Sequence, residues 1–274
     1  MKKRTNLLST ALYTAGVWSS GGLDGADLFD HPDSRRILHV VNAALRLAKL
    51  FMPLPDLPAS LLQRHHMIDS LVQELAPAAV IEIGAGLSAR GVRLTSDPRI
   101  EYFEVDRPMV LERKRTLAER TEPGRAVLER PNLHFIAADI QADALDGLLP
   151  QLSGRQVFIA EGLFMYLKEA EQMRLLAAIW ARCRSGDVLL FDWVPTCEQP
   201  PSGGVGRLLG WTMSRLTRGG KFVRDARTRA DVAAALRQVG FADVRSLEPA
   251  NAPVPWQVPH LDKKTQQLLF VARA

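Results

Sequence analysis

Two cysteines in 274 residues, Cys183 and Cys197, are too few for a disulfide framework and have no metal-ligand spacing. A reducing, cytoplasmic setting is the expectation that follows. No apolar run reaches the ~20 residues that a membrane span needs, so no membrane partner is expected. Met1-Lys2-Lys3-Arg4 ahead of Leu7, Leu8, Ala11 and Leu12 imitates a signal peptide, but Ser9, Thr10, Tyr13 and Thr14 interrupt it. An excess of one charge is also missing: 35 basic against 30 acidic residues leave +5, spread along the chain. A nucleic-acid groove is therefore not expected. Local thickenings at Arg113-Lys114-Arg115 and from Arg207 to Arg229 read as solvated helix faces, or as a surface for an anionic substrate. His65 and His66 are adjacent, point to different faces of a helix and cannot form a metal pair. Repeats and low-complexity tracts are absent too.

What remains is the composition of an ordinary globular protein, 47% apolar and 24% charged, long enough for one large α/β domain with decorations. Its most informative stretch is Ala79-Val80-Ile81-Glu82-Ile83-Gly84-Ala85-Gly86, a β-branched run that ends in a Gly-x-Gly turn. About twenty residues on, Glu101-Tyr102-Phe103-Glu104-Val105-Asp106 ends a second run in an acid. In a nucleotide site the first glycine makes the tight turn and the second lets backbone approach the ligand. The later carboxylate accepts from ribose hydroxyls. Gly84 to Ala89 also fits the dinucleotide form of the motif, so a nicotinamide enzyme stays open on these residues alone.

The chain before this motif reads as helical. Asp33 and Ser34 can cap a helix whose apolar face runs from Ile37 to Leu50, Pro53, Pro55 and Pro58 form a connector, and a second helix runs from Ala59 to Ala76. Strand and helix then alternate. Strands are expected at Val80–Ile83, Glu101–Val105, Leu133–Ala137, Gln156–Ala160 and Asp187–Trp193, with helices near Ser88–Thr95, Met109–Arg120, Lys168–Arg184 and Thr228–Val239. This alternation implies a parallel, doubly wound sheet. Two closing strands, Ala242–Leu247 and Gln267–Ala272, have no helix between them, so the last must run antiparallel. The organisation expected is a helical N-terminal lid over residues 1–77 and a Rossmann-like domain over 78–274. An insertion at about 195–225 is too long for a connector and reads as a second lid.

Two segments resemble the leucine carboxyl methyltransferase family. Tyr102 to Val110 with Arg113-Lys114 is similar to the family's motif after the second strand, and Ile159-Ala160-Glu161-Gly162-Leu163-Phe164-Met165-Tyr166-Leu167 to its fourth-strand motif. Thr10 to Trp18 is similar to its N-terminal segment. The pattern includes bacterial polyketide O-methyltransferases. The resemblance implies a class I methyltransferase fold and S-adenosylmethionine as cofactor. By it, Asp106 holds the ribose, Gly84 and Gly86 line the methionine and ribose portions, and Asp139 and Ile140 meet the adenine. Glu161 lies near the amino-acid part of the cofactor and Arg64 grips its carboxylate. Tyr166 stands near the transferred methyl as the candidate catalytic residue. Glu82, at the end of the first strand, is either a further cofactor-binding acid or a structural one. Asp106 could instead cap a helix before Pro108.

These residue types suit the cofactor's chemistry, since an ammonium and a sulfonium need acids and a carboxylate suits a guanidinium. A dehydrogenase gives no reason for acids to recur at strand ends. Gln141 stands where the eukaryotic protein-modifying members carry an arginine, and their N-terminal lysine has no counterpart around Leu12 or Tyr13. Both departures favour a small-molecule acceptor. A carboxylate acceptor is ionised at neutral pH and needs no base, whereas a phenol usually does. The expectation is O-methylation of a small-molecule carboxylate or hydroxyl, with no metal. Methylation of a protein or tRNA carboxyl group, and a non-catalytic cofactor-binding protein, remain as alternatives. The oligomeric state cannot be read from these features.

Overall fold

The computed structural model describes residues 6–51, 54–140, 145–194, 223, 225–263, 265 and 267–274. Seven strands form one sheet in the order β3-β2-β1-β4-β5-β7-β6. They are β1 (Ala79–Ile83), β2 (Glu101–Asp106), β3 (Leu133–Ala137), β4 (Gln156–Ala160), β5 (Val188–Trp193), β6 (Asp243–Leu247) and β7 (Leu268–Arg273). The first five run parallel, and β7 lies antiparallel between β5 and β6. This is the doubly wound, Rossmann-like sheet with an antiparallel final strand that the alternation implies, and its order reverses between β1 and β4. Ligands of such sheets bind at that reversal, outside the carboxyl ends of the strands.

Burial on both faces explains why the central strands are almost wholly apolar. Val80, Tyr102, Val157, Ile159, Val188 and Leu190 share one core with the helices that precede the sheet. Ile81, Ile83, Phe103, Phe158, Leu189 and Phe191 face the other, against the helices Glu169–Arg182 (α7) and Arg229–Val239 (α8). The period of two within each strand thus sorts its residues between two cores.

The N-terminal segment is helical, with α1 (Asn6–Ser20), α2 (Pro32–Lys49) and α3 (Leu57–Leu75). Leu12, Tyr13, Ala15, Val17 and Trp18 of α1 are buried. Two expectations about helix starts change. The cap of α2 is His31, whose Nδ1 accepts from the Asp33 amide at 3.1 Å; Asp33 and Ser34 lie within the first turn behind Pro32. Pro58 is no connector: Asp56 caps α3 through the Ala59 amide at 3.1 Å, and Pro58 sits in the first turn, where a missing N–H costs nothing.

Helices α4 (Arg90–Leu94) and α5 (Pro108–Ala118) follow, and then α6 (Glu122–Leu128), which the sequence reading passed over. Pro123 suggests a break, but Thr121 caps the helix through the Gly124 amide at 3.2 Å and the proline falls at its start. Most of the 195–225 insertion lies outside the described residues. None of the described helices is long and apolar enough to cross a membrane.

Gly240 ends α8 at φ +132°, and a Cβ there would stand 2.4 Å from Trp180 Cε2. Gly240→Ala therefore combines backbone strain with a clash against an indole. We expect urea unfolding to show a loss of about 1–3 kcal/mol relative to the parent protein.

Candidate functional site

The carboxyl ends of β1 and β2 meet through one carboxylate. Gly84 and Gly86 take φ of +73° and +56°, which a side chain would strain. Asp106 Oδ2 accepts from the Gly86 amide and Oδ1 from the Arg107 amide, both at 2.7 Å. Asp106 thus locks the glycine turn to the neighbouring strand. It does not cap α5, whose N-cap is Arg107 with no side-chain bond. Burial raises the Asp106 pKa above the usual carboxylate value, and the two amides oppose that rise. Asp139 lies exposed just beyond β3, and Ile140, half-buried, packs against the second core.

Between β4 and β5 the site is charged. Arg64, on α3, donates through Nε to Glu161 Oε1 at 2.9 Å and through Nη1 to Asp192 Oδ2 at 2.8 Å. Gly162 follows at φ +68°, and a Cβ there would come within 3.3 Å of Arg64 Nη2. The guanidinium therefore needs a glycine beside it. Tyr166 sits in a single helical turn, Phe164–Tyr166, and bonds Thr10 of α1. Burial raises its pKa, opposed by the Thr10 contact and by Arg64, so its O–H stays protonated at neutral pH.

Behind this surface lies a buried network. Arg90, wholly enclosed at the start of α4, binds Glu82 and reaches Asp69 at 2.6 Å and Glu161 Oε2 at 2.7 Å. Tyr102 donates to the other Glu82 oxygen at 2.7 Å. Both oxygens of Glu82 thus face protein groups, the structural arrangement of the two weighed for it. His65 Nδ1 lies 3.0 Å from Glu161 Oε2, and its ring packs on Trp18 with centroids 4.8 Å apart. Burial alone would raise the Glu161 pKa, but His65, Arg64 and Arg90 hold it well below the carboxylate norm. Asp192 goes the other way: burial lifts it despite Arg64 and the Gly162 amide.

Of the residues expected from sequence, Gly84, Gly86 and Asp106 gather at one point, and Arg64, Glu161 and Tyr166 at the next. Asp69, Arg90 and Asp192 are additions. Asp192 is the last residue but one of β5, as Asp106 is the last of β2, an acid near a strand end that the pattern contained. Lys114 corrects an expectation: read as part of a solvated basic face, it is only 1% exposed and donates to Glu104 at 2.5 Å. An open groove of about 620 Å³ beside Phe103, His134 and Phe135 shares no residue with this cluster.

Comparison with known proteins places these residues in context. The family model described as "Leucine carboxyl methyltransferase" matches residues 33–180. A Mycobacterium avium protein provisionally named an S-adenosyl-L-methionine-dependent methyltransferase is 30% identical over 204 residues, covering 70% of this chain and 63% of that one. A Mycobacterium marinum protein of the same name is 29% identical, covering 76% and 70%. A crystal structure from Thermobifida fusca, provisionally described as a methyltransferase, superposes with TM-score 0.59 at 17% identity over 98% of this chain and 94% of that chain. Mitomycin 7-O-methyltransferase MmcR superposes at 0.52, with 16% identity over 97% and 66%. At such identities these structures speak for the fold.

Two outcomes follow from the buried charges. Arg90→Met leaves Asp69, Glu82 and Glu161 without their shared cation, and denaturant unfolding should show a loss of about 3–5 kcal/mol. The second concerns Glu104, enclosed by Lys114 of α5, Glu82 of β1 and Asp106 of its own strand. Burial, opposed by Lys114, pushes its pKa up to about 7. A carboxyl group raised on folding holds its proton more tightly in the native state than in the unfolded one. Its contribution to stability is therefore present at low pH and lost as pH rises from the ordinary carboxylate value toward about 7. Melting points of the parent should fall more steeply over that window than those of Glu104→Gln.

Proposed function

The chain belongs to the leucine carboxyl methyltransferase family, and from that premise and the strand-end geometry we propose an S-adenosylmethionine-dependent O-methyltransferase acting on a small-molecule carboxylate or hydroxyl. The observation that carries the reading is the meeting of a positive-φ glycine turn held by Asp106 with an Arg64–Glu161–Asp192 cluster at the next strand ends. One half suits a ribose. The other suits an amino-acid head group bearing both charges.

The residues fit the cofactor. Gly84, Gly86 and Gly162 are half-buried and take positive φ, which side chains would strain. Asp106 spends one lone pair of each oxygen on an amide, and the remaining pairs can accept from ribose hydroxyls. Arg64 Nη2, beside Gly162, is the guanidinium nitrogen left to face a carboxylate. Glu161 and Asp192 supply negative charge for an ammonium. Asp139 and Ile140 are the adenine-side pair.

When bound, the cofactor supplies an electrophilic methyl group on a sulfonium. The protein's part is alignment and exclusion of water, from which much of the rate of such a displacement can come. Tyr166, kept as a phenol, can donate a hydrogen bond that orients the acceptor oxygen. Ala11 of α1 lies 3.8 Å from where a Gly86 Cβ would stand, and Thr10 reaches Tyr166, which supports residues 1–77 as the cover of the site.

A carboxylate is the favoured acceptor, because it needs no base. His65 is enclosed among Glu161, Arg90 and Asp69, leaving no open ring nitrogen to take a proton from an alcohol.

The test is transfer of labelled methyl groups to a panel of carboxylic acids and phenols. A methyl ester should form at a rate nearly flat between about pH 6 and 8, and Asp106→Ala should weaken cofactor binding by about 1.5–3 kcal/mol. A phenyl ether, formed at a rate that climbs with pH until a histidine is replaced, overturns the ester. Calorimetry showing NAD bound more tightly than S-adenosylmethionine overturns the whole reading.

A further inference from the structure

Lys114 is an amphipathic side chain with no water to reach. It is 1% exposed, and its ammonium meets three parts of the chain at once. Nζ donates to Glu104 Oε2 at 2.5 Å, on the strand that ends in Asp106. It donates to the Ser88 carbonyl at 2.6 Å, two residues beyond Gly86. It also lies 5.0 Å from the ring centroid of Phe29, in the helical turn Ala26–Phe29 of the N-terminal segment. Three N–H bonds thus have three destinations, and a desolvated cation is attracted to an aromatic face.

The surroundings make this joint specific. A Cβ on Gly91 would stand 2.6 Å from Glu104 Oε1, so α4 carries a glycine where the carboxylate passes. The N-terminal segment is seated on the same helices. Gly25 lies against Val92 of α4, where a Cβ would meet Cγ1 at 2.9 Å, and Arg120, just past α5, donates to the Asp30 carbonyl at 2.7 Å. Arg90 ties the strand before the turn to α3, whereas Lys114 ties the turn itself to Ala26–Phe29.

We propose that Lys114 is a positioning residue through which cofactor binding at the Gly84–Ser88 turn is coupled to docking of the Ala26–Phe29 turn. It rests on the reading of that glycine turn as the cofactor's. Lys114 touches no reacting atom. It fixes the carbonyl of Ser88 and the strand before Asp106, and it can do so in this geometry only while Phe29 closes its third side. Filling the turn therefore favours the seated segment, and seating the segment favours the filled turn, by the same factor.

The experiment is a cycle of four proteins: parent, Lys114→Met, Phe29→Leu and the double variant. S-adenosylhomocysteine affinity is measured by calorimetry below the melting point of each, together with the melting points. Lys114→Met should weaken binding about tenfold, and Phe29→Leu about threefold in the parent but not in the Lys114→Met background. Equal effects of Phe29→Leu in both backgrounds overturn the coupling. So do unchanged affinities with lowered melting points, which mark a purely structural lysine. If Lys114→Met does not fold, hydrogen exchange on the parent decides. Added S-adenosylhomocysteine should slow exchange at residues 25–30 as well as at 84–92, and protection confined to 84–92 overturns the proposal. A parent that binds no S-adenosylhomocysteine at all sinks the cofactor reading itself, a different failure from binding without coupling.

Discussion

The enclosure of two guanidinium groups behind the strand ends is the constraint from which the site is built. Arg64 and Arg90 are held away from water, and each brings acids from segments far apart in sequence. Removing such charges from solvent is expensive, and only hydrogen bonds on nearly every donor offset the cost. Glu161 is the shared member, one oxygen on each arginine. The ends of β1, β4 and β5, the start of α4 and the middle of α3 are thereby tied to one arrangement.

This arrangement divides labour between the two faces of the sheet. The face toward α7 and α8 is closed by stacked aromatics, Phe164, Phe191 and Phe270, which need only volume and contact. The other face carries Glu82, Glu104, Lys114 and Arg90 among its apolar residues. That is also the face on which the N-terminal helices sit. Polar specificity is concentrated where a ligand must be held and a cover must close, while the opposite side supplies bulk stability.

Much of this was legible in the sequence, and the exceptions share a cause. Strands β1, β2 and β4 could be found because each is a short apolar run ended by glycine or acid. The closing antiparallel pair followed from the lack of a helix between its members. Arg64 and Glu161 entered through the family resemblance, and they are in contact. Arg90 and Asp69 did not stand out, and Lys114 read as part of a solvated face, because a basic or acidic residue on a helix is normally solvated. Their burial depends on partners far off in sequence, 71 residues for Arg90 and Glu161 and 85 for Lys114 and Phe29. Local pattern cannot register such pairing. Asp192 is different: it sits in Phe191-Asp192-Trp193 without a following glycine, so the punctuation that marked Gly84 and Gly162 was missing. Helix starts shifted by a few residues for a related reason, since Pro32, Pro58 and Pro123 serve as first-turn residues rather than as breaks.

The position of β7 has a consequence for how the molecule is made. Residues 268–273 pair on one side with β5 and on the other with β6. While a ribosome is still adding the stretch between β5 and β7, β5 has only one strand neighbour and its outer row of amides and carbonyls stands open. The sheet is finished only when the last-synthesised strand slides between two earlier ones. During that interval the growing chain carries a sticky margin. Closing it demands the longest wait of any pairing in the sheet, and in a crowded cell it is the step most open to capture by a chaperone or by another unfinished copy.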